Sequence, residues 1–367
     1  MKPEAQNTEK ENPRLWLVFL ILLPWVLNSL RQPGSDFAVF TTTVHDWAAG
    51  RTQLYDAAHV YYNYLPWSLL IYLPFSYLPR LVGELIFNTL SLGLLIWSTW
   101  SLVKPVKWWV LAVSLTTIYT GLHLLLAQWD ILVLAALTLG WLAVQHRKPW
   151  LLGLALVVMT TKYINIILPM LLLLYMVRRW SLKELLKVAA MPVAILPISF
   201  LIAGVDWPVR YWRLMHTTLS FYDHFEALTL FSTTTYKTSY WRYLPPLGPA
   251  ILIILAGISL YIFYRFLLRR ITIEALILAL SLNMVVTPYL AIYHIVYLAP
   301  VQAYLLKEHR ILGILLFAVS VVDLVFMWLR IGVILYSITT LILLLGVNIY
   351  REWQQRKAGA SPALGAS

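Results

Sequence analysis

The chain has 367 residues, contains no cysteine and is poor in charged residues. Without cysteine it can form no disulfides, perform no thiolate catalysis and build no metal site with cysteine ligands. Only 12% of its residues are charged and 60% are hydrophobic, whereas a soluble domain carries about a quarter charged residues. The mean hydropathy is +0.74. Most of the chain must therefore lie in lipid, and we predict an all-α polytopic membrane protein.

Several motifs of soluble enzymes are also missing from the sequence. There is no zinc-ligand spacing, no P-loop, and no GxSxG or GxGxxG motif in a supporting context. We therefore expect neither nucleotide chemistry nor covalent serine catalysis, and no cofactor or metal ion. The formal net charge of +12 is better explained by basic cytoplasmic loops and anionic lipid headgroups than by nucleic acid.

The apolar segments predict membrane helices, because a backbone in lipid must satisfy its own hydrogen bonds. They cover roughly 15–30, 66–79, 81–103, 108–126, 129–145, 150–160, 162–177, 185–204, 246–266, 271–287, 289–306, 311–329 and 331–350.

The distribution of Lys and Arg sets the orientation of these segments. If the N-terminus is cytoplasmic and every segment except 66–79 crosses once, most of the 28 basic residues lie inside. A full crossing by 66–79, which Pro74 interrupts, would reverse this bias, so we predict a partial insertion from the outer face. We expect about twelve spans, with both termini in the cytoplasm. We expect the protein to lie in the plasma membrane. The predicted parts are a cytoplasmic segment 1–14, a transmembrane domain 15–350 and a partly disordered cytoplasmic tail 351–367.

This topology places two long loops, 31–65 and 205–245, on the outer side. In the first loop, Phe37, Phe40, Val44 and Trp47 recur at steps of three and four, which predicts a helix with one apolar stripe. The second loop carries a similar aromatic set, namely Trp207, Tyr211, Trp212, Phe221, Tyr222 and Phe225. We expect both loops to contain helices that lie in the interface plane.

Asp36 is the acid nearest to the point where the first span leaves the membrane, and it begins the predicted helix. At that position its carboxyl group is accessible to water and can ionise, and it is close enough to the bilayer to contact a lipid headgroup. Asp36 is therefore our candidate general base. The alternative is a helix cap, because Asp often precedes an apolar periodic run.

Other polar residues on the outer side are candidates for binding a substrate. Lys162 lies where two short spans meet and would attract a phosphate, or would be a lysine that extends its charge to the interface. Gln128 and Asp130 form a short turn that faces a cavity or is only structural. His294 contacts a phosphate or hydroxyl group, or is a hydrogen-bonded core histidine.

Two arginines and one intramembrane acid complete the set. Arg210 and Arg213 share a face of the second loop helix, where they hold a lipid phosphate or contact bulk headgroups. Asp323 is a functional candidate because it lies within a span, although the sequence names no partner for it.

These features together resemble the GT-C superfamily of membrane glycosyltransferases, most closely glycosyltransferase family 87, the polyprenyl-phosphomannose-dependent mannosyltransferases. The first stretch that carries the resemblance is Asp36-Phe37 followed by Trp47 to Gly50 and Leu54-Tyr55-Asp56. The second runs from Tyr62 to Pro66 and includes Tyr64, with Leu65 where the family usually has proline. The third is Ala127-Gln128, with alanine where glycine is usual, followed by Gly153 and Lys162-Tyr163. The fourth is Thr287-Pro288-Tyr289 before His294.

The resemblance implies a GT-C-like fold and transfer of a sugar, such as mannose, from a polyprenyl-phosphate donor to a hydroxyl group of a lipid, glycan or protein. Asp36 would be the base, with Lys162 and His294 near the donor phosphate and Tyr64 in the substrate site. One displacement assisted by one base implies inversion at the anomeric carbon.

Two other classes of protein remain possible. A transporter or flippase would place the same residues along a pathway but usually shows internal repeats, which we do not find. A membrane scaffold would need none of them.

Overall fold

The computed structural model of the chain consists of helices and turns. It describes residues 16–29, 36–51, 54–55, 62, 64–214, 247–264, 272–286, 292–328 and 335–357. These ranges contain no strand, which confirms the predicted all-α class. The predicted terminal segment 1–14, most of the second outer loop and the end of the tail lie outside the described residues.

The helices follow the predicted apolar segments closely. In chain order they are α1 Trp16–Ser29, α2 Asp36–Ala48, α3 Leu69–Ser76, α4 Arg80–Val103, α5 Trp108–Leu115, α6 Ile118–Leu126, α7 Asp130–Gln145, α8 Pro149–Thr160, α9 Ile167–Met176, α10 Leu182–Ala203, α11 207–214, α12 Leu247–Ile262, α13 Ile273–Val286, α14 Ala299–Glu308, α15 Arg310–Trp328 and α16 Leu335–Lys357. Short 3₁₀-helices cover Pro66–Ser68, Tyr163–Asn165, Val177–Arg179 and Ile292–Leu298.

Two of the described helices, α4 and α10, are each long and apolar enough to cross a membrane. Helices α5 and α6 add a third crossing if the two together form one span. The flank of α10 is strongly exposed and apolar, with Leu201 85% exposed and Val193 60% exposed. A helix with such a surface is suited to contact with lipid. The larger total of about twelve spans remains a prediction that depends on the distribution of charge.

The segment 108–126, which we predicted as one crossing, is broken. Its two helices meet at an angle of 61°. At the break, Thr116 Oγ1 donates a hydrogen bond to the carbonyl of Ala112 at 2.8 Å. Thr117 adopts an extended conformation before α6 begins. Hydroxyl side chains that bond to the preceding turn bend helices in this way. The break directs α6 toward α1 and toward the 3₁₀-helix at 292–298, which it contacts.

Helix α7 lies at the centre of the fold. It packs against α4 on one side and α8 on the other, and α8 packs in turn against α10. Gly153 permits the close approach of α8 and α10, because a Cβ atom there would lie 2.6 Å from the carbonyl oxygen of Val188. The start of α10 is fixed by a capping box between Ser181 and Glu184. Because α7 and α8 pack against each other and are joined by a short turn, the start of α7 and the end of α8 lie at the same end of the helix bundle.

The two long loops that we predicted on the outer side are joined to each other. Trp47 Nε1, at the end of α2, donates to the carbonyl of Ile202 at 2.7 Å. Arg210 on α11 donates to the carbonyls of Leu54 and Ala203, with 3.1 Å between Nη1 and the Leu54 oxygen. These bonds join the first loop to the end of α10 and the start of the second loop.

Candidate active site

Asp36 is the first residue of α2, as the apolar stripe predicted. The stripe is buried, with Phe37 and Val44 completely inaccessible to solvent and Phe40 3% exposed. The ring of Phe40 contacts that of Trp129 with centroids 4.9 Å apart. Since the stripe contacts protein, α2 is fixed against the helix bundle and the Asp36 carboxylate is directed toward the turn between α6 and α7. Asp36 Oδ2 accepts a hydrogen bond from Gln128 Nε2.

The turn that carries Gln128 has a backbone conformation that rarely suits a residue with a side chain. Ala127 ends α6 in the left-handed region, with φ 49° and ψ 51°. Glycine is the usual residue at this position after a helix, because it has no Cβ to clash. The turn is held by Tyr72, whose hydroxyl donates to the Ala127 carbonyl at 3.1 Å. Asp130 then begins α7, so Gln128 and Asp130 are presented together.

Lys162 lies in a break between two helices, as predicted, but it is not a lone cation. Helix α8 ends at Thr160 and α9 begins only at Ile167. The ammonium group donates to Gln128 Oε1 at 2.7 Å and to Asp130 Oδ2 at 2.8 Å. The residue is 5% exposed. A charge so far from water requires a counter-ion, and Asp130 supplies it.

Aromatic rings also flank the Lys162 ammonium. The nitrogen lies 4.8 Å from the ring centre of Trp129 and 5.4 Å from those of Tyr64 and Tyr293. These distances permit cation–π attraction, which is stronger when the cation is desolvated. Tyr64 therefore belongs to the same site as Lys162 and Gln128. Its backbone carbonyl accepts a hydrogen bond from the Tyr55 hydroxyl at 2.7 Å.

His294 joins the site through Asp130. Its Nδ1 lies 2.7 Å from Asp130 Oδ1, and Asn165 Nδ2 is 3.1 Å from the same nitrogen. Because an ionised carboxylate only accepts hydrogen bonds, the short contact places a proton on Nδ1. Asp130 therefore contacts two candidate phosphate ligands at once, with Lys162 on one oxygen and His294 on the other.

Besides the aromatic residues Tyr72, Trp129 and Tyr293, the site contains His123 and Asn165, which were not predicted from the sequence either. His123 is completely buried, with Nδ1 3.7 Å from Asp130 Oδ2, and Asn165 contacts His294. The signal for His123 was a histidine within an apolar helix, five residues before Gln128. For Asn165, the signal was its place in the same break as Lys162.

The charges around Asp36 oppose one another. Burial raises the pKa of its carboxyl above the ordinary range, and the hydrogen bond from Gln128 and the charge of Lys162 act in the opposite direction. The carboxylate of Asp130 adds to the increase. Asp36 is partly buried and so less accessible to water than we predicted, and Gln128 and Lys162 favour its ionised form.

The remaining candidates lie apart from this network. Arg210 directs its guanidinium to backbone carbonyls and to Asp206 at 3.1 Å, whereas Arg213 is exposed on α11.

Asp323 also lies outside the network. Its carboxylate accepts hydrogen bonds from the Tyr119 hydroxyl at 2.5 Å and from the backbone N–H groups of Leu335 and Tyr336. It therefore serves as a cap for α16. Within the described ranges, no group of three His, Cys, Asp or Glu residues is arranged to hold a metal ion.

The fold and the site describe an all-helical membrane protein with a buried polar network at the ends of several helices. Residues 62–292 match the model of glycosyltransferase family 87. The match covers well over half of the chain, so this protein belongs to glycosyltransferase family 87 and is a membrane glycosyltransferase. No curated protein and no solved structure matches the chain.

The family match includes some site residues and not others. Gln128, Asp130 and Lys162 fall within 62–292, whereas Asp36 precedes this range and His294 follows it. The structure brings both outlying residues to the matched ones, through Gln128 for Asp36 and through Asp130 for His294.

Proposed function

We propose that this protein transfers a sugar, a hexose such as mannose, from a polyprenyl-phosphate donor to a hydroxyl acceptor at the outer face of the plasma membrane. The acceptor is a lipid, a glycan or a protein. The observation that carries the proposal is the hydrogen-bonded series from Asp36 through Gln128 and Lys162 to Asp130 and His294. It places a carboxylate, a cation and an imidazole in one network of a family 87 glycosyltransferase.

Asp36 is the general base of the proposed reaction. The acceptor oxygen attacks the anomeric carbon of the donor, and Asp36 takes the hydroxyl proton as this bond forms. The bond from the anomeric carbon to the phosphate oxygen breaks, and its electron pair leaves with the polyprenyl phosphate. Since one displacement occurs, the configuration at the anomeric carbon inverts.

Lys162 and His294 stabilise the phosphate that leaves. Two of the three N–H donors of Lys162 are directed to Gln128 and Asp130, so one is left for a phosphate oxygen. Asp130 holds a proton on His294 Nδ1 and would stabilise an imidazolium, which adds positive charge as the phosphate leaves. A lipid monophosphate can depart without a metal ion, so we expect no cofactor.

Tyr64, which is partly exposed, lies on the proposed sugar-binding side of the site, and the buried ring of Trp129 packs behind it. Tyr64 and Trp129 lie with ring centres 4.3 Å apart, and both flank the Lys162 ammonium. In this proposal Arg213, exposed on α11, contacts lipid headgroups, and Arg210 holds the outer loops that border the site. In this proposal both chain termini are cytoplasmic, and the two long loops that border the site lie on the opposite face.

The proposal is tested with the purified protein in proteoliposomes. Polyprenyl-phosphate hexoses and nucleotide-diphosphate hexoses are each supplied with lipid, glycan and peptide acceptors, and the product linkage is determined by NMR. We expect transfer only from the polyprenyl-phosphate donors, with inverted anomeric configuration. Transfer from nucleotide sugars, or a retained configuration, would contradict the proposal. Movement of the lipid-linked sugar across the bilayer without transfer would instead favour a flippase.

A further inference from the structure

The side chain of Gln128 joins the candidate base to the buried cation. Its Oε1 accepts from Lys162 Nζ at 2.7 Å, and its Nε2 donates to Asp36 Oδ2. The side chain is 1% exposed, so water does not compete for either bond. We infer that Gln128 is a positioning residue that aligns the Asp36 carboxylate for proton removal and couples it to Lys162, rather than a ligand of the substrate. This inference rests on the proposed function.

Only a neutral amide of this length satisfies both neighbours. Lys162 has donors and no acceptor, whereas ionised Asp36 has acceptors and no donor. A carboxylate at position 128 would bond to Lys162 but repel Asp36. An aliphatic side chain would serve neither, and asparagine is one methylene shorter. The amide oxygen of Gln128 therefore faces Lys162 and the amide nitrogen faces Asp36, which fixes the orientation of the amide group.

The coupling gives Asp36 a defined electrostatic setting. The groups that face it are Gln128 and Lys162, the carboxylate of Asp130, and Tyr72 on α3. Lys162 is the cation in this set, and Gln128 is the one member that contacts both Lys162 and Asp36. Replacing Gln128 should therefore change the protonation of Asp36 without changing any residue that touches the donor phosphate in the proposed reaction.

The first test measures the protonation of Asp36 without any substrate. A hydrophobic carbodiimide modifies the protonated form of a carboxyl group, and mass spectrometry measures the labelling of Asp36 as a function of pH. We compare the parent protein with Gln128→Asn and Gln128→Glu. The matched control is Gln302→Glu, because Gln302 is also completely buried and bonds to Gly313 and Tyr336, away from the site.

We expect the labelling midpoint to rise by at least about one pH unit in Gln128→Glu, because two carboxyl groups in contact share one proton. In Gln128→Asn we expect a smaller rise, because the donor to Asp36 is withdrawn. Gln302→Glu should leave the midpoint unchanged. If Gln128→Glu does not fold, the asparagine variant decides alone. An unchanged midpoint in either Gln128 variant would overturn the inference, whether or not the protein transfers sugar.

The second test uses steady-state transfer by Gln128→Asn, with the donor that the proteoliposome assay identifies. A positioning residue predicts a fall in kcat of at least about tenfold with KM changed by no more than about twofold. A rise in KM at unchanged kcat would show that Gln128 binds the substrate and would overturn the inference. If no donor is transferred by the parent protein, the proposed function fails, and the labelling result still tests the coupling.

Discussion

Replacement of Lys162 by methionine tests whether the buried ion pair holds the site together. Methionine has a similar length and no charge, so the substitution removes the partner of Asp130 with little change in volume. The pair is 2.8 Å long, with side chains 2% and 0% exposed. Breaking a buried pair by removing one partner costs about 3–5 kcal/mol, because a charge is left without compensation. His294 still contacts Asp130, so we expect about 3 kcal/mol, the lower end of this range.

The double variant Lys162→Met/Asp130→Asn separates the pair from the individual residues. It contains neither charge, so its loss of stability should be smaller than the sum of the two single losses by about 2 kcal/mol. Arg51→Met is the matched control, because Arg51 pairs with Asp46 at 3.2 Å but is 64% exposed. An exposed pair contributes at most about 1 kcal/mol.

Equilibrium unfolding in mixed micelles, followed by tryptophan fluorescence, measures these free energies. The reasoning is refuted if Lys162→Met lies within about 1 kcal/mol of the parent protein, as an exposed pair would. Additive effects of Lys162→Met and Asp130→Asn would also refute it, because independent residues show no coupling free energy.

Three further predictions follow from the geometry. Burial raises the pKa of Asp36, so kcat/KM should fall as the pH drops through a value above the ordinary carboxyl pKa of about 3.9; a pH profile with its acid limb at the ordinary value would contradict this. Ala127→Gly should raise the free energy of unfolding by about 1 kcal/mol, because position 127 is left-handed, and an unchanged or lower value would contradict the assigned turn. Gly153→Ala should lower the thermal unfolding temperature, because its Cβ would clash with α10, whereas Gly93→Ala on α4, with nothing within 4 Å, should not lower it.

Most of the helices could be predicted from the sequence, because apolar length decides where a chain can satisfy its backbone in lipid. Helix α4 begins at Arg80 and ends at Val103, close to the predicted segment 81–103. The breaks within segments were harder to predict. The interruption near Thr116 and the delayed start of α9 at Ile167 depend on local backbone bonds and neighbouring helices, which apolar length does not reveal.

The site was predicted as a set of residues but not as a network. Asp36, Gln128 and Lys162 were chosen because each is polar at an end of an apolar segment, and His294 because it lies in the predicted outer half of the segment 289–306. Their connections required the fold, since Gln128 and Lys162 are 34 positions apart and His294 and Asp130 are 164 apart. The sequence therefore could not show that Asp130 neutralises Lys162. It also could not show that Arg210 is directed to the carbonyls of Leu54 and Ala203.

The central claim is that Asp36 removes the acceptor proton, and sugar transfer by Asp36→Asn tests it most directly. The matched control is Asp46→Asn, which changes an acid on the same helix that pairs with exposed Arg51. Asp36→Asn should keep its fold, because a carboxyl with a raised pKa does not stabilise the folded state at neutral pH. We predict that Asp36→Asn loses at least about 100-fold in transfer rate while Asp46→Asn stays within about twofold of the parent protein. Transfer by folded Asp36→Asn at the rate of the Asp46→Asn control would contradict the account.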